Sequence, residues 1–489
     1  MLKIILSIGG IQVLAVAINV VRSKAIALML GPERIGLISV IDQYVQLISY
    51  IAAFSLPFAA VRFLSRAHSE NQDRFRVVYS AFLSVILILS LIGTSAGILI
   101  VVMAPEWFGD ELSENQPILL IAFLSVPGMM LGGFITNALA AAQKVRASAL
   151  IAVITGLGTT IAWITGISIS GIQGMYIGSA ITLSAIAIAG IIYLRSSLDL
   201  PITIRFSAAI REFTANPEIF YVAMIFASGA IFSSASLLVM RQAVLTAHGP
   251  AAAGLLQSAF AVSLAIGLVL TPTNGLFLTP VMNRNIEKTE KLATASEYQR
   301  RLAIILIIVS LPAVLFPKTL IFILFSQEFT PAAQWLYLFV ATQVIVQYAG
   351  IYQAVLIGVN DLWRYCLMTC GGFAITAGSS MLLASEYGVA GAGFSLLLGA
   401  SFTALTCLFL LKKRHGLEVS LAHFSLPLYS IGIPILVGFV ARIFPEWGLS
   451  SLAARSLIGL IIATGVWGLI SPEDRNGIIA LGKRLQNKA

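Results

Sequence analysis

Polar positions in this chain do not recur with the period of a strand or with the 3.6-residue period of a surface helix. They gather instead into short clusters that separate long apolar runs. Fourteen such runs stand out, at residues 4–30, 36–62, 77–103, 117–142, 147–169, 172–194, 218–246, 252–281, 302–325, 332–358, 363–385, 389–411, 425–445 and 449–470. Each meets or nearly meets the roughly 20 residues a helix needs to cross the hydrocarbon core of a bilayer. In lipid every backbone amide and carbonyl must be satisfied internally, so the runs are predicted to be helices. A barrel would instead show ten-residue alternating segments. The expected fold class is an all-α polytopic membrane protein.

Composition agrees with that pattern. Apolar residues make up 58% of the 489 and charged residues 10%, against about 25% charged in soluble domains. Lys and Arg are retained on the cytoplasmic side of membranes, so loop charge sets orientation. With both termini inside, the inner segments hold 23 of the 30 basic residues. Topology therefore accounts for most of the net charge of +9, and no nucleic-acid partner is expected. Lys3 ahead of an apolar run resembles a signal peptide, but no small-residue cleavage site follows, and retention is expected.

An internal repeat organises the chain. "GPERIGL" at Gly31 returns as "GPAAAGL" at Gly249, 218 residues later. "FGDEL" at Phe108 returns as "FSQEF" at Phe325, and "LAAAQK" at Leu139 as "LIGVND" at Leu356, both 217 later. Six spans fit in that shift, an even number, so two like-oriented six-helix lobes related by an axis along the membrane normal are predicted. The expected organisation is an N-terminal lobe over residues 1–200, a cytoplasmic link over 201–217, and a C-terminal lobe over 218–412. Residues 413–489 then supply two further spans and a basic tail. Prolines at 57 in span 2, and at 272 and 280 in span 8, are predicted to bend matching elements.

The "LGPERIG" turn after a cation-bearing first span, "AAVRFLSRAHSE" closing the second, and "FILFSQEFTPAAQWLYLFVATQVIVQYAGIYQAVLIGVNDLWRYCLM" across spans 9 to 11 resemble the Wzx-type O-antigen and polysaccharide flippases of the MOP superfamily. The resemblance implies a multi-pass protein of the bacterial inner membrane that moves an undecaprenyl-diphosphate-linked oligosaccharide from the cytoplasmic to the periplasmic leaflet. It also implies membrane lipid, and the polysaccharide polymerase and chain-length machinery, as partners. Two other readings compete: a MATE-like cation-coupled drug or metabolite antiporter, and a membrane assembly subunit with no transport cycle.

Ionisable groups inside spans are costly and mark sites by default. Gln12, Asn19 and Arg22 fall within about 80° of one another on the first span, at 100° per residue. Ser234 and Arg241 are seven apart on span 7. Arg241 precedes Gly249 by eight residues much as Arg22 precedes Gly31 by nine, so the lobes offer near-equivalent cations. A guanidinium grips diphosphate oxygens with paired hydrogen bonds, and such a pair carries about 4 kcal/mol of attraction before desolvation in a partly solvated cavity. Arg22, Arg241, Arg62 and Lys24 are the candidate substrate-binding cations. Lys24 lies about 160° from Arg22 on the wheel, which suits an outer headgroup as well, and Arg62 is also explained by retention of cations inside.

Asp42 is the one acidic residue well inside a span. It is read either as a structural ion pair with Arg22 or Arg34, or as a protonatable group coupling transport to H+ or Na+. Gln46, on the face of Asp42, and Gln347 and Tyr348 in span 10 are candidate sugar contacts, although interhelical hydrogen bonds would use the same groups. No enzyme, cofactor or metal centre is expected. "GIIALGKR" at Gly477 has Arg484 where a phosphate-binding loop needs Ser or Thr, and the four histidines are scattered without metal spacing.

Overall fold

The computed structural model describes residues 2–200, 206–273, 278, 282, 287–417, 421–441 and 449–469, with side chains from Ala17 onward in the first helix. Gln12 as a side chain, the bend predicted at Pro280, and "GIIALGKR" with its basic tail lie outside the described residues, while the backbone at Pro272 falls in the last turn of the helix Glu218–Thr273. Among the described residues every regular element is helical. Eight stretches among the described residues are long and apolar enough to cross a membrane, as a multi-pass membrane protein requires.

Four helices are far longer than one crossing. They are α1 (Leu2–Ala53), α7 (Val145–Leu198), α9 (Glu218–Thr273) and α13 (Leu362–His415). At 1.5 Å per residue, 52 residues would run about 78 Å, well over twice a hydrocarbon core. Each is broken by a glycine: Gly31 in α1, Gly171 in α7, Gly249 in α9 and Gly388 in α13. All four hold positive φ, a region only glycine enters without steric cost. Pro32 and Pro250 follow two of them, where a fixed φ and a missing amide suit the first turn of a new helix.

The repeat seen in the sequence is written into the backbone. Gly31 (φ 68°, ψ 178°) and Gly249 (φ 80°, ψ 173°) share one conformation, and Gly171 (φ 62°, ψ −141°) and Gly388 (φ 58°, ψ −128°) share another. At the end of α6 (Val126–Ala141), Gln143 takes φ 58°, and at the end of α12 (Leu336–Gly358), Asn360 takes φ 59°, again 217 residues on. Both close the same cap. Lys144 N–H donates to Leu139 O and Gln143 N–H to Ala140 O, just as Asp361 N–H donates to Leu356 O and Asn360 N–H to Ile357 O.

The break near Pro57 differs from expectation. It falls at Phe54 (φ 46°) and Ser55 (φ 49°), and Pro57 sits in the first turn of the following α2 (Leu56–Glu70). Two consecutive non-glycine residues in the left-handed region mark strained backbone that the surrounding packing must hold. From α2 the chain turns into α3 (Gln72–Met103), where the Asn71 side chain caps Arg74 N–H at 2.7 Å.

By packing, the chain forms two compact units. One comprises Met1–Ser258, Ile323–Phe329 and Leu362–Gly399; the other comprises Ala259–Phe322, Thr330–Asp361 and Ala400–Ala489. In the first, Tyr79 stacks on Phe134 with ring centroids 5.5 Å apart, and the bidentate pair of Arg74 with Glu212, both contacts 2.6 Å, docks α8 (Phe206–Ala215) onto α3. In the second, Gly267 and Gly438 leave room for Gln343 and Tyr337, which a Cβ at either glycine would meet within 2.3 Å.

Candidate functional site

The first unit assembles a polar cluster around the first turns of α1 after its Gly31 break. Asp42 is half-buried, and its Oδ1 accepts a 2.8 Å hydrogen bond from the Tyr176 hydroxyl. Ile38 O lies 3.4 Å from the same hydroxyl, so the single proton goes to the nearer carboxylate. Gln43, one position on, is buried and donates to Ser234 Oγ at 2.7 Å and to Ser234 O at 3.2 Å. Gln46 receives from Gln43 at 3.3 Å and donates to Tyr50 at 3.0 Å.

Arg241 is buried, and its Nη1 donates to Ser39 O at 2.5 Å. The face formed by Ser234 and Arg241 thus meets the face formed by Gln43 and Ser39. Arg22 is half-buried and lies over the Trp163 ring, its Cζ 4.8 Å from the ring centroid. This is a cation–π contact that holds a guanidinium without neutralising it. Both Arg22 and Arg241 act electrostatically on the Asp42 carboxylate.

Trp163 and Tyr176 stand on either side of the Gly171 break in α7, where the two arms press together. A Cβ on Gly166 would lie 2.2 Å from Gly174 O, and one on Gly174 would lie 2.1 Å from Gly166 O. Of the two arms so joined, one sets its aromatic against Arg22 and the other against Asp42. Neither residue, nor Gln43, was anticipated from sequence. The available signal was an amphipathic aromatic on each arm of a glycine-packed hairpin, with Gln43 adjacent to Asp42.

The remaining candidates sit elsewhere. Arg62 pairs with Glu218 at 2.6 Å, both side chains at least half exposed. Lys24 is half-buried beside Arg22 in sequence. In the second unit Tyr348 is buried and its hydroxyl shares a 2.6 Å hydrogen bond with Ser430, so that hydroxyl joins two helices. Gln347 is buried as well, near Gly267, where a Cβ would approach its Nε2 to 3.4 Å. Among the described residues no cluster of three or more His, Cys, Asp or Glu is placed to hold a metal.

No family model matches the chain, and no curated protein matches it in sequence. Solved structures do match in fold. The lipid II flippase MurJ, in an inward closed conformation, superposes with a TM-score of 0.66 at 16% identity over 94% of this chain and 98% of its own. A multidrug resistance MATE family transporter of the MOP superfamily, inward-facing, gives 0.63 at 14% over 88% and 96%. A MOP superfamily transporter from Pyrococcus furiosus, described as having a binding pocket of reverse polarity, gives 0.60 at 14% over 88% and 96%. The chain has the fold that these three proteins share.

Proposed function

We propose that this protein is an alternating-access flippase that moves an undecaprenyl-diphosphate-linked oligosaccharide between leaflets for surface polysaccharide synthesis. The observation that carries the reading is the charge balance of the cluster: two arginines, Arg22 and Arg241, around a single carboxylate, Asp42, among apolar spans. A site with net positive charge favours an anionic headgroup and disfavours a cationic drug. Arg22 is the cation best suited to the diphosphate, because a π face orients it without using its N–H groups. The lipid-handling activity in the name of the MurJ neighbour supports the same reading.

Counting each glycine-broken helix as two turns the eight stretches among the described residues into twelve, and the shorter apolar helices Pro427–Phe439 and Ala453–Gly468 would bring the number to fourteen; the repeated backbone at 217–218 residues supports the reading of two lobes that rock about a central site. In the orientation set by the basic loops, the Gly31 and Gly249 turns face outward and Arg62 faces the cytoplasm. A leaflet-resolved assay of lipid-linked sugar in proteoliposomes tests the proposal. Transfer by the wild-type protein and its loss in Arg22→Ala at normal membrane levels support it; equal transfer with and without the protein overturns it. Asp42 sustains a second reading, a cation-coupled antiporter. Gradient-dependent efflux of a cationic dye, with no lipid transfer, would favour that one.

A further inference from the structure

The α7 hairpin contacts both charges of the cluster and treats them differently. Trp163 offers a π face to Arg22, and Tyr176 offers a proton to Asp42. Left to themselves, a guanidinium and a carboxylate on neighbouring spans in a low-dielectric surround attract strongly, and would pair. A paired Arg22 would have its fork occupied and its charge cancelled, and would hold no anion. Here the direct hydrogen-bond partner of Asp42 is a tyrosine and the ring under Arg22 is a tryptophan. Each charge is thus engaged by an aromatic of the same hairpin.

We infer that Tyr176 and Trp163 are positioning residues that hold Asp42 and Arg22 apart, keeping the Arg22 guanidinium unneutralised for an anionic diphosphate group. The inference rests on the flippase reading for its ligand and on the geometry of the hairpin for its mechanism. The tight packing of Gly166 on Gly174 makes the separation rigid, since it fixes the spacing between the two arms that carry the aromatics. Tyr176 acts only through Asp42, and Trp163 only through Arg22; neither is required to touch the ligand.

The decisive comparison is Tyr176→Phe against the double variant Tyr176→Phe with Asp42→Asn, in full-length protein in nanodiscs. The phenylalanine keeps the ring and removes only the proton donor, so Asp42 is released to Arg22. Binding of undecaprenyl diphosphate is then expected to weaken roughly tenfold, the change that loss of one charge-assisted hydrogen bond brings. Removing the carboxylate charge in the double variant should restore it. Inorganic pyrophosphate, run as a competitor, distinguishes recognition of the headgroup alone from recognition of the whole lipid. Unchanged binding in Tyr176→Phe overturns the inference, and so does weakened binding that Asp42→Asn fails to restore.

A ligand-free readout separates this inference from the flippase reading. The emission of Trp163, taken as the difference between each protein and its Trp163→Phe counterpart, should shift when Arg22 leaves the ring in Tyr176→Phe. It should return in the double variant. If wild-type protein binds no lipid diphosphate but this emission pattern holds, the flippase reading fails and the positioning role stands. If lipid binds and the emission does not move, the positioning role fails.

Discussion

Gly254 presents its α-carbon to the carbonyl of Pro32 so closely that a Cβ there would stand 2.0 Å from the oxygen. The relationship is reciprocal, for a Cβ on Gly36 would stand 1.9 Å from Pro250 O. The two "GP" turns of the repeat therefore meet backbone to backbone, each proline carbonyl lying over the other turn's glycine. Alanine at either position must push backbone apart, with no flexible side chain to yield. Gly36→Ala and Gly254→Ala are each expected to destabilise this backbone contact by about 1–3 kcal/mol, the usual cost of overpacking. A cysteine pair flanking the seam, such as Ile35→Cys with Ala253→Cys, should crosslink readily in the parent protein and slowly in either alanine variant. Equal crosslinking rates would show that the seam opens without resistance.

The sequence disclosed this seam only in part. "GPERIG" and "GPAAAG" announced a duplicated turn through spacing alone, because a glycine before a proline reports a local backbone need. That the two turns touch is a tertiary fact with no local signal. The same division runs through the cluster. Ser234 and Arg241 were legible as one face because seven residues are nearly two helical turns, and the structure gives that face Gln43 and Ser39 as partners. Asp42 was legible as a costly interior charge, but its partner Tyr176 comes from a span 134 residues away, chosen by hairpin packing. Tyr348 read as a sugar contact because a hydroxyl on an apolar helix suits either a ligand or a neighbouring helix; Ser430 is its neighbour.

Arg22 separates charge from geometry. Arg22→Lys keeps the cation but loses the planar fork and most of its stacking on Trp163. Flipping is expected to fall in both Arg22→Lys and Arg22→Ala, by roughly tenfold or more in alanine, where tenfold corresponds to about 1.4 kcal/mol. Lysine should give an intermediate rate. A lysine variant as fast as the parent would show that charge alone suffices, and rates of transfer in proteoliposomes at matched protein density decide it.

The Arg74–Glu212 fork makes a prediction about stability. Glu212 is buried, its side chain 8% exposed, while Arg74 is about one-third exposed. Removing the arginine strands a carboxylate away from water, whereas removing the carboxylate charge leaves an arginine that solvent reaches. Arg74→Ala is therefore expected to cost about 2 kcal/mol, less than a fully buried pair because water partly replaces the guanidinium. Glu212→Gln should cost less, since its amide can still accept from Arg74 and Asn216, which now bonds the carboxylate at 2.9 Å. Chemical unfolding in detergent compares the two; equal losses would mean the docking of α8 does not depend on this charge.

Arg62 and Glu218 present the opposite case, because the pair is close but wet. At 2.6 Å, with side chains 58% and 50% exposed, the bond is screened and contributes less than about 1 kcal/mol. Neither Arg62→Ala nor Glu218→Ala should change thermal stability measurably. If Arg62 receives the headgroup at the cytoplasmic mouth, the two variants must part company in transport. A doubly charged diphosphate exchanges easily for so weakly held a carboxylate, so Arg62→Ala should raise the KM for lipid-linked substrate while Glu218→Ala leaves it equal or lower. The swap of Arg62→Glu with Glu218→Arg rebuilds the ion pair with the cation moved to the other helix. A swap that restores KM would mean that a cation on either helix receives the headgroup. Loss in Arg62→Ala with no recovery in the swap assigns reception to Arg62 itself, and no loss in any variant leaves the arginine as an orientation signal and nothing more.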